Sequence, residues 1–238
     1  MSAITILRGE SMAHLIAIEG TDCSGKGTQS VLLMERIEKL KGKAKLISYP
    51  RYDTPTGKII GGAYLGKEHI GKPLFPEGAT NVDGKVASLL FAADRKYNDN
   101  EIKESLKNGY NVILNRYVES NMGHQASKFE SKEEREKMFE FLEKLEYDLL
   151  ELSKPELTIL LYMPNKYSKI LKQGREEKAD QHELDEEYLL RSEKTYLEMV
   201  EKYNFCKIDC VENDRILSPE EISEKVWVEV QKRFPDIV

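Results

Sequence analysis

Gly20-Thr21-Asp22-Cys23-Ser24-Gly25-Lys26-Gly27-Thr28 lies between a short apolar run, Leu15-Ile-Ala-Ile18, and Gln29-Ser-Val-Leu-Leu-Met-Glu-Arg-Ile37, which is apolar at helical spacing. Strand, glycine loop and helix in that order are the context of a phosphate-binding loop. The backbone N–H groups of such a loop turn inward on a polyphosphate. The first turn of the helix adds its unpaired N–H groups and the positive end of its dipole. Gly20 and Gly25 permit backbone conformations and close approaches that a Cβ forbids. Lys26 carries a mobile point charge to the β- and γ-phosphates. The alternative is a tight strand-to-helix turn with a surface lysine. The residue after Lys26, where Ser or Thr ordinarily ligates Mg2+, is Gly27, and Thr28 comes one place late.

Outward from this loop, apolar runs alternate with periodic segments, the pattern of a parallel sheet with helices on both faces. Strands are expected at about His14–Glu19, Lys45–Tyr49, Asn111–Asn115, Leu157–Met163 and Phe205–Asp209. Helices are expected at about Gly27–Lys41 (closed by Gly42), Val82–Lys107 as one helix or two, Lys132–Leu152, Asp185–Lys202 and, capped by Ser218-Pro-Glu-Glu221, as far as Arg233. Pro50 to Gly57 reads as a break, and Lys58 to Gly84 as a glycine-containing loop. Two apolar stripes, Val86/Leu89/Leu90/Ala93 and Met138/Phe141/Leu142/Leu145/Leu149, each read as core or as a subunit interface. No repeat, low-complexity tract or linker divides the chain, so residues 1–238 are expected to form a single domain, with 1–12 a leader or a disordered start.

The 238 residues are 33% charged and 40% apolar, with a net charge of −6. That balance argues against a general nucleic-acid or anionic-membrane surface, so an anionic substrate must be held by a local basic cluster. Cys23, Cys206 and Cys210 form neither a disulfide framework nor a zinc ligand set, which fits a reducing, cytoplasmic setting. No apolar run approaches the roughly 20 residues of a membrane span.

In a doubly wound sheet the ligand lies beyond the carboxyl ends of the strands. Those positions hold the glycine loop, Pro50-Arg51-Tyr52 and Asn115-Arg116-Tyr117. Arg95, in Phe91-Ala-Ala-Asp-Arg95, and Arg175, in a charged break, complete a set of arginines suited to phosphoryl transfer, where forked donors match phosphate oxygens. Arg95 reads equally as a partner of Asp94 or Glu101, and Arg175 as solvated loop charge.

Several ordered motifs together resemble the thymidylate kinases of the nucleoside-monophosphate kinase group. They are Ile18–Gln29, Tyr49-Pro-Arg-Tyr52, Leu90–Arg95, Asn115–Asn121, His124-Gln-Ala-Ser-Lys128, Lys154-Pro-Glu156 and Gly174-Arg175 with Asp180-Gln-His-Glu183. The resemblance implies a three-layer α/β/α P-loop fold with a five-stranded parallel sheet and a short lid at about 174–183. It implies transfer of the γ-phosphoryl of ATP to dTMP with Mg2+, and a homodimer. Residue by residue, Asp22 would sit near the acceptor's 3′-hydroxyl and phosphate and contribute to the metal partly through water. Arg51 and Tyr52 would lie at the acceptor phosphate. Phe91 would stack on thymine, although an aromatic there also reads as core, and Arg95 would donate to O4. Arg116 would bridge the two phosphates, and Ser120 and Asn121 would fix the base. Arg175 would belong to the lid, with Asp180 and Glu183 on its far side.

The chain departs from the family pattern at Asn115, where aspartate is usual, and at Gly27, Cys23 and His124. The first two move metal handling toward Asp22 and solvent, and the lack of arginine at Cys23 throws weight on Arg175. His124 stands where a tyrosine often guards against a 2′-hydroxyl, though a structural hydrogen bond explains it equally. A kinase for another nucleoside monophosphate, or a nucleotide-binding sensor without catalysis, are the competing readings. Arg95→Ala is expected to cost acceptor affinity and turnover with little loss of fold.

Overall fold

The computed structural model describes residues 13–21, 23–172 and 186–238. Asp22, residues 1–12 and the stretch expected as a lid, with Arg175, Asp180 and Glu183, lie outside them. In chain order the elements are β1 (Leu15–Gly20), α1 (Lys26–Lys39), β2 (Ala44–Ser48), α2 (Pro55–Lys58, running on as π-helical turns over Ile59–Tyr64) and α3 (Gly84–Lys107). There follow β3 (Asn111–Asn115), α4 (Val118–Ala126), α5 (Lys132–Glu143, running on as π-helical turns over Lys144–Leu149), β4 (Leu157–Tyr162), α6 (Asn165–Lys172) and α7 (Glu186–Tyr203). The chain ends with β5 (Cys206–Asp209), a small hairpin of β6 (Val211–Glu212) and β7 (Arg215–Ile216), and α8 (Pro219–Arg233).

The main sheet has five strands in the order β2-β3-β1-β4-β5, paired in parallel throughout. Central strands of such a sheet are covered on both faces, so their side chains are apolar without alternation of polarity. In β1, Ile16 and Ile18 face Leu33 and Ile37 of α1 and Trp227 and Val230 of α8. Leu15 and Ala17 face the other layer, with Ile102 of α3, Met122 of α4, Phe139 and Leu142 of α5, and Met199 of α7. A third apolar cluster, around Ile60, Tyr64 and Val82, anchors the segment between α2 and α3. Among the described residues no helix is long and apolar enough to cross a membrane.

The five strands match expectation within a residue or two at each end, and α8 carries the full capping box between Ser218 and Glu221. Four local readings change. Gly42 is not the left-handed cap of α1; Lys41 takes φ 72°, and Gly42 is needed because a Cβ there would lie 2.7 Å from Ile37 Cγ2. Residues 55–64, expected as break and loop, are helical, started by the Thr54 hydroxyl accepting from Gly57 N. The α3 stripe turns outward: Leu89 is 53% exposed and Val86 is exposed too, while Ala87, Ala92, Asp94 and Arg95 are buried. Finally, π-helical turns hold more residues per turn than the α-helix, so the seven-residue step from Leu142 no longer returns to one face. Leu149 is 67% exposed, and Glu146 is buried in its stead.

Glu119, in the first turn of α4, is buried with Oε1 accepting from Tyr147 Oη at 2.8 Å. Burial, and then the neighbouring Glu19 carboxylate, push its pKa up from 4.5 to about 7. Between those values the folded chain keeps a proton that the unfolded chain has released, so stability falls as pH rises through that window. Glu119→Gln keeps the shape and cannot ionise. It is expected to flatten the decline, read as urea midpoints near pH 5 and about pH 7.5.

Candidate active site

The carboxyl ends of β1, β2 and β3 open onto a cavity of about 870 Å³. One wall is the glycine loop. A Cβ on Gly20 would lie 2.4 Å from Leu161 O, so only glycine lets β1 run past β4 into the loop. Gly25 has open space but φ +80°, and its need is conformational. Thr21 does not face the cavity with a free hydroxyl: its Oγ1 donates to Met163 O (2.7 Å) and accepts from Met163 N (2.9 Å), tying the loop to the end of β4. Lys26 is buried, and its Nζ donates to Gly20 O (3.2 Å) and Thr21 O (2.8 Å). Cys23, Ser24, Gly25, Gly27 and Thr28 line the same wall.

The opposite wall is built by α4. Its first turn is held by Glu19, the fully buried penultimate residue of β1, whose carboxylate accepts from Tyr117 N (2.6 Å), Ser120 N (3.1 Å) and Ser120 Oγ (2.6 Å). Three donors on one carboxylate fasten α4 to β1. Arg116 enters this turn with φ 67°, and its Nη1 donates to Ser120 Oγ at 3.2 Å and lies 3.5 Å from His124 Nε2. His124 Nδ1 meets Tyr188 Oη of α7 at 3.0 Å.

The base-side wall comes from α3. Phe91 lines the cavity and also packs edge-on against Tyr64, ring centres 5.6 Å apart, as part of the third apolar cluster. Arg95 lines the cavity but pairs with neither Asp94 nor Glu101. It is wholly buried, with Nε donating to Glu146 Oε2, Nη2 to Glu146 Oε1 (2.6 Å) and Nη1 to Tyr117 O (3.2 Å). Removing one member of a buried ion pair leaves the other charge uncompensated and costs on the order of 3–5 kcal/mol. The expectation that Arg95→Ala spares the fold is therefore corrected. Asn121 Nδ2 donates to Glu146 Oε1 (2.9 Å) and Ser88 O (3.3 Å), and its Oδ1 is buried without a partner.

Tyr52 lines the cavity under Lys67, whose Nζ lies 5.5 Å from the ring centre. Arg51 is not brought in. Its Nη1 donates to Glu101 Oε2 (2.6 Å) and its Nε to Asp53 (3.4 Å), while its backbone N–H binds Asp94. Glu101 lies two helical turns beyond Asp94 on α3 and draws the guanidinium along that helix, away from the cavity. Sequence reasoning passed over Glu19, Lys67, Gln125 and Glu146. Gln125 is fully buried at the cavity with both amide atoms unpaired. A charged residue closing a buried strand was a signal for Glu19; nothing local marked Glu146.

Mg2+ prefers hard oxygen donors and keeps several waters, commonly with carboxylates and substrate phosphates as its ligands. Among the described residues no group of three or more acidic, histidine or cysteine side chains could hold a metal. Asn115 stands beside Gly27, 3.8 Å from where a Cβ would be, and its Oδ1 is buried without a partner. This neutral donor fits a metal that arrives on nucleotide phosphates, with the amide as a minor contact.

Comparison with known proteins agrees with this geometry. The thymidylate kinase family model matches residues 18–218. The chain is 34% identical over 192 residues to a probable thymidylate kinase of Thermococcus onnurineus, covering 79% of this chain and 84% of the relative. It is 30% identical over 196 residues to one of Methanocaldococcus jannaschii, covering 82% and 85%. A solved thymidylate kinase structure from Candida albicans superposes with a TM-score of 0.73 at 22% identity, over 95% of this chain and 94% of that one. The strand order, the loop with Lys26 and the cavity walled by that loop, α3 and α4 thus sit in a chain that belongs to the thymidylate kinase family.

Proposed function

We propose that this chain, read as one domain, transfers the γ-phosphoryl group of ATP to dTMP, releasing ADP and dTDP. The observation that carries the reading is a single cavity with two chemically different ends. One end is a phosphate-type loop with Lys26; the other holds an aromatic face, Phe91, beside the buried polar groups of Arg95 and Asn121. Arg116 stands between them, where acceptor and donor phosphates would meet. A phosphate oxygen of dTMP attacks the γ-phosphorus, and the bond to the β–γ bridging oxygen breaks as the new bond forms. The chain's share is positioning and charge stabilisation in a site shielded from water, with no covalent enzyme intermediate. Mg2+ bound to the ATP phosphates would supply Lewis-acid charge there, with Asn115 as the described residue at hand. Asp22 at the acceptor sugar and Arg175 in the lid keep the roles the family resemblance implies. Arg51, directed toward Glu101, serves this reading as a brace for the Pro50–Gly57 turn.

The same reading includes a cytoplasmic homodimer. The outward faces of Val86, Leu89 and Tyr97 on α3 and of Leu149 after α5 support a two-fold helix contact, because apolar side chains gathered on one helical layer favour burial against a copy of themselves.

Three outcomes are expected. In a coupled ADP-release assay across nucleoside monophosphates, dTMP is the preferred acceptor and dUMP is weaker; clear preference for another monophosphate sinks the reading. Arg116→Ala lowers kcat by about 100-fold or more while the melting temperature stays within a few degrees, since one preorganised donor to developing charge is worth that much. Leu89→Glu shifts the chain to monomer in sedimentation velocity, and an unchanged dimer moves the interface elsewhere.

A further inference from the structure

Glu146 is a fully buried carboxylate near the cavity, 0% exposed, and its two oxygens serve two cavity residues at once. Oε2 and Oε1 accept from Arg95 Nε and Nη2, and Oε1 also accepts from Asn121 Nδ2 at 2.9 Å. The second contact of the Asn121 amide is Ser88 O at 3.3 Å. Both neighbours are acceptors only: one is a carboxylate engaged by a guanidinium, the other a main-chain carbonyl. Whichever way an asparagine amide is drawn, its NH2 must face two such acceptors, because the carbonyl end would meet oxygen with oxygen. The carbonyl oxygen is thereby turned away from them. Asn121 is only 2% exposed, lines the cavity, and leaves Oδ1 without a hydrogen-bond partner. A buried unpaired carbonyl is a costly feature unless a ligand supplies the donor. Arg95 has five N–H groups. Two go to Glu146 and one to Tyr117 O, which leaves two N–H donors on a residue that also lines the cavity.

We infer that Glu146 is a specificity-determining positioning residue: by holding the Asn121 NH2 and one edge of Arg95, it fixes an acceptor and a donor side by side at the base end of the cavity. That pair matches a pyrimidine with an N3–H donor and a 4-oxo acceptor. It opposes a pyrimidine with an unprotonated N3 and a 4-amino group, whose donor and acceptor are reversed. Glu146 touches no substrate atom in this scheme and acts through Asn121 and Arg95. The π-helical turns after α5 allow this placement, since they bring Glu146 rather than Leu149 to the inner face.

The inference rests on the dTMP reading, and the test separates the two. 5-Methyl-dCMP has the outline of dTMP and differs only at the 4-position and N3. For the full chain, kcat/KM for dTMP is expected to exceed that for 5-methyl-dCMP by about 10³ or more, because a site built of buried hydrogen-bonding groups rejects the mispaired analogue strongly. In Glu146→Gln the new amide can donate to Asn121, which then turns its NH2 toward the cavity. The ratio is expected to narrow at least ten-fold, with KM for dTMP rising and KM for ATP staying within two-fold. A folded Glu146→Gln that keeps the ratio within two-fold overturns the inference even if kcat falls, since a purely structural role lowers activity toward both acceptors alike. Should that variant not fold, Glu146→Asp, which keeps the charge and shortens its reach to Asn121, decides by calorimetric binding: a dTMP to 5-methyl-dCMP affinity ratio at least ten-fold below that of the unaltered protein upholds the inference, and a ratio closer than that overturns it. Absence of dTMP turnover in the unaltered chain would instead sink the parent reading.

Discussion

The carboxylate of Glu19 is the fastening on which the site depends. It is the one charged residue of β1, next to the strand's end, and it is fully buried between β1 and α4. There it collects two main-chain N–H groups and one hydroxyl from the Tyr117–Ser120 turn. Helix N-termini leave N–H groups unpaired and favour negative charge, so a carboxylate delivered from the sheet serves as the cap of α4. Loss of that acceptor would leave three buried donors unsatisfied, each worth about 1–3 kcal/mol. The consequence is geometric as well as energetic. β1 leads directly into the glycine loop, and α4 carries Ser120, Asn121 and His124, so one residue fastens the phosphate wall to the α4 wall opposite it.

Two further carboxylates work in the same manner. Glu146 arranges Arg95 and Asn121, and Asp94 gathers the Arg51 N–H with the hydroxyls of Thr54 and Thr56, shaping the turn after β2. A chain with net charge −6 that handles anionic ligands must set its positive groups with care. Buried acceptors do this at close range, where the reduced dielectric strengthens each contact. The acidic bulk charge and the local arginines are therefore not in tension: part of the acid content is the frame that aims the base content.

Much of the fold was legible because it rests on local patterns. The Asn111–Asn115 strand, the Ser218 capping box and the glycine loop each announce themselves within a few residues. What escaped was non-local. Arg95 reaches Glu146 across 51 positions and Glu19 reaches Ser120 across 101, and neither separation leaves a periodic trace. Arg51 sits at the right end of β2, yet Glu101 lies within reach along α3 and turns it aside, a competition between neighbours that spacing cannot weigh. The stripe ending at Leu149 failed for a different reason: the helical period itself changes there, so a correct rule was applied to the wrong helix.

The two ends of the cavity differ in how much is settled before any ligand arrives. At the base end, Arg95 and Asn121 are held by acceptors that no substrate displaces, so their orientations are set by the protein alone. At the phosphate end, Lys26 lends its protons to the carbonyls of Gly20 and Thr21, the same loop whose N–H groups would face a polyphosphate. Those two contacts are neutral acceptors and weaker partners than phosphate oxygens, because hydrogen bonds to an ionised acceptor are roughly twice as strong. Phosphate oxygens are therefore stronger partners for Lys26 than these two carbonyls. The base end is set by the protein before substrate arrives, whereas the phosphate end holds its lysine on acceptors that phosphate outcompetes. That division follows from which acceptors are buried carboxylates and which are loop carbonyls.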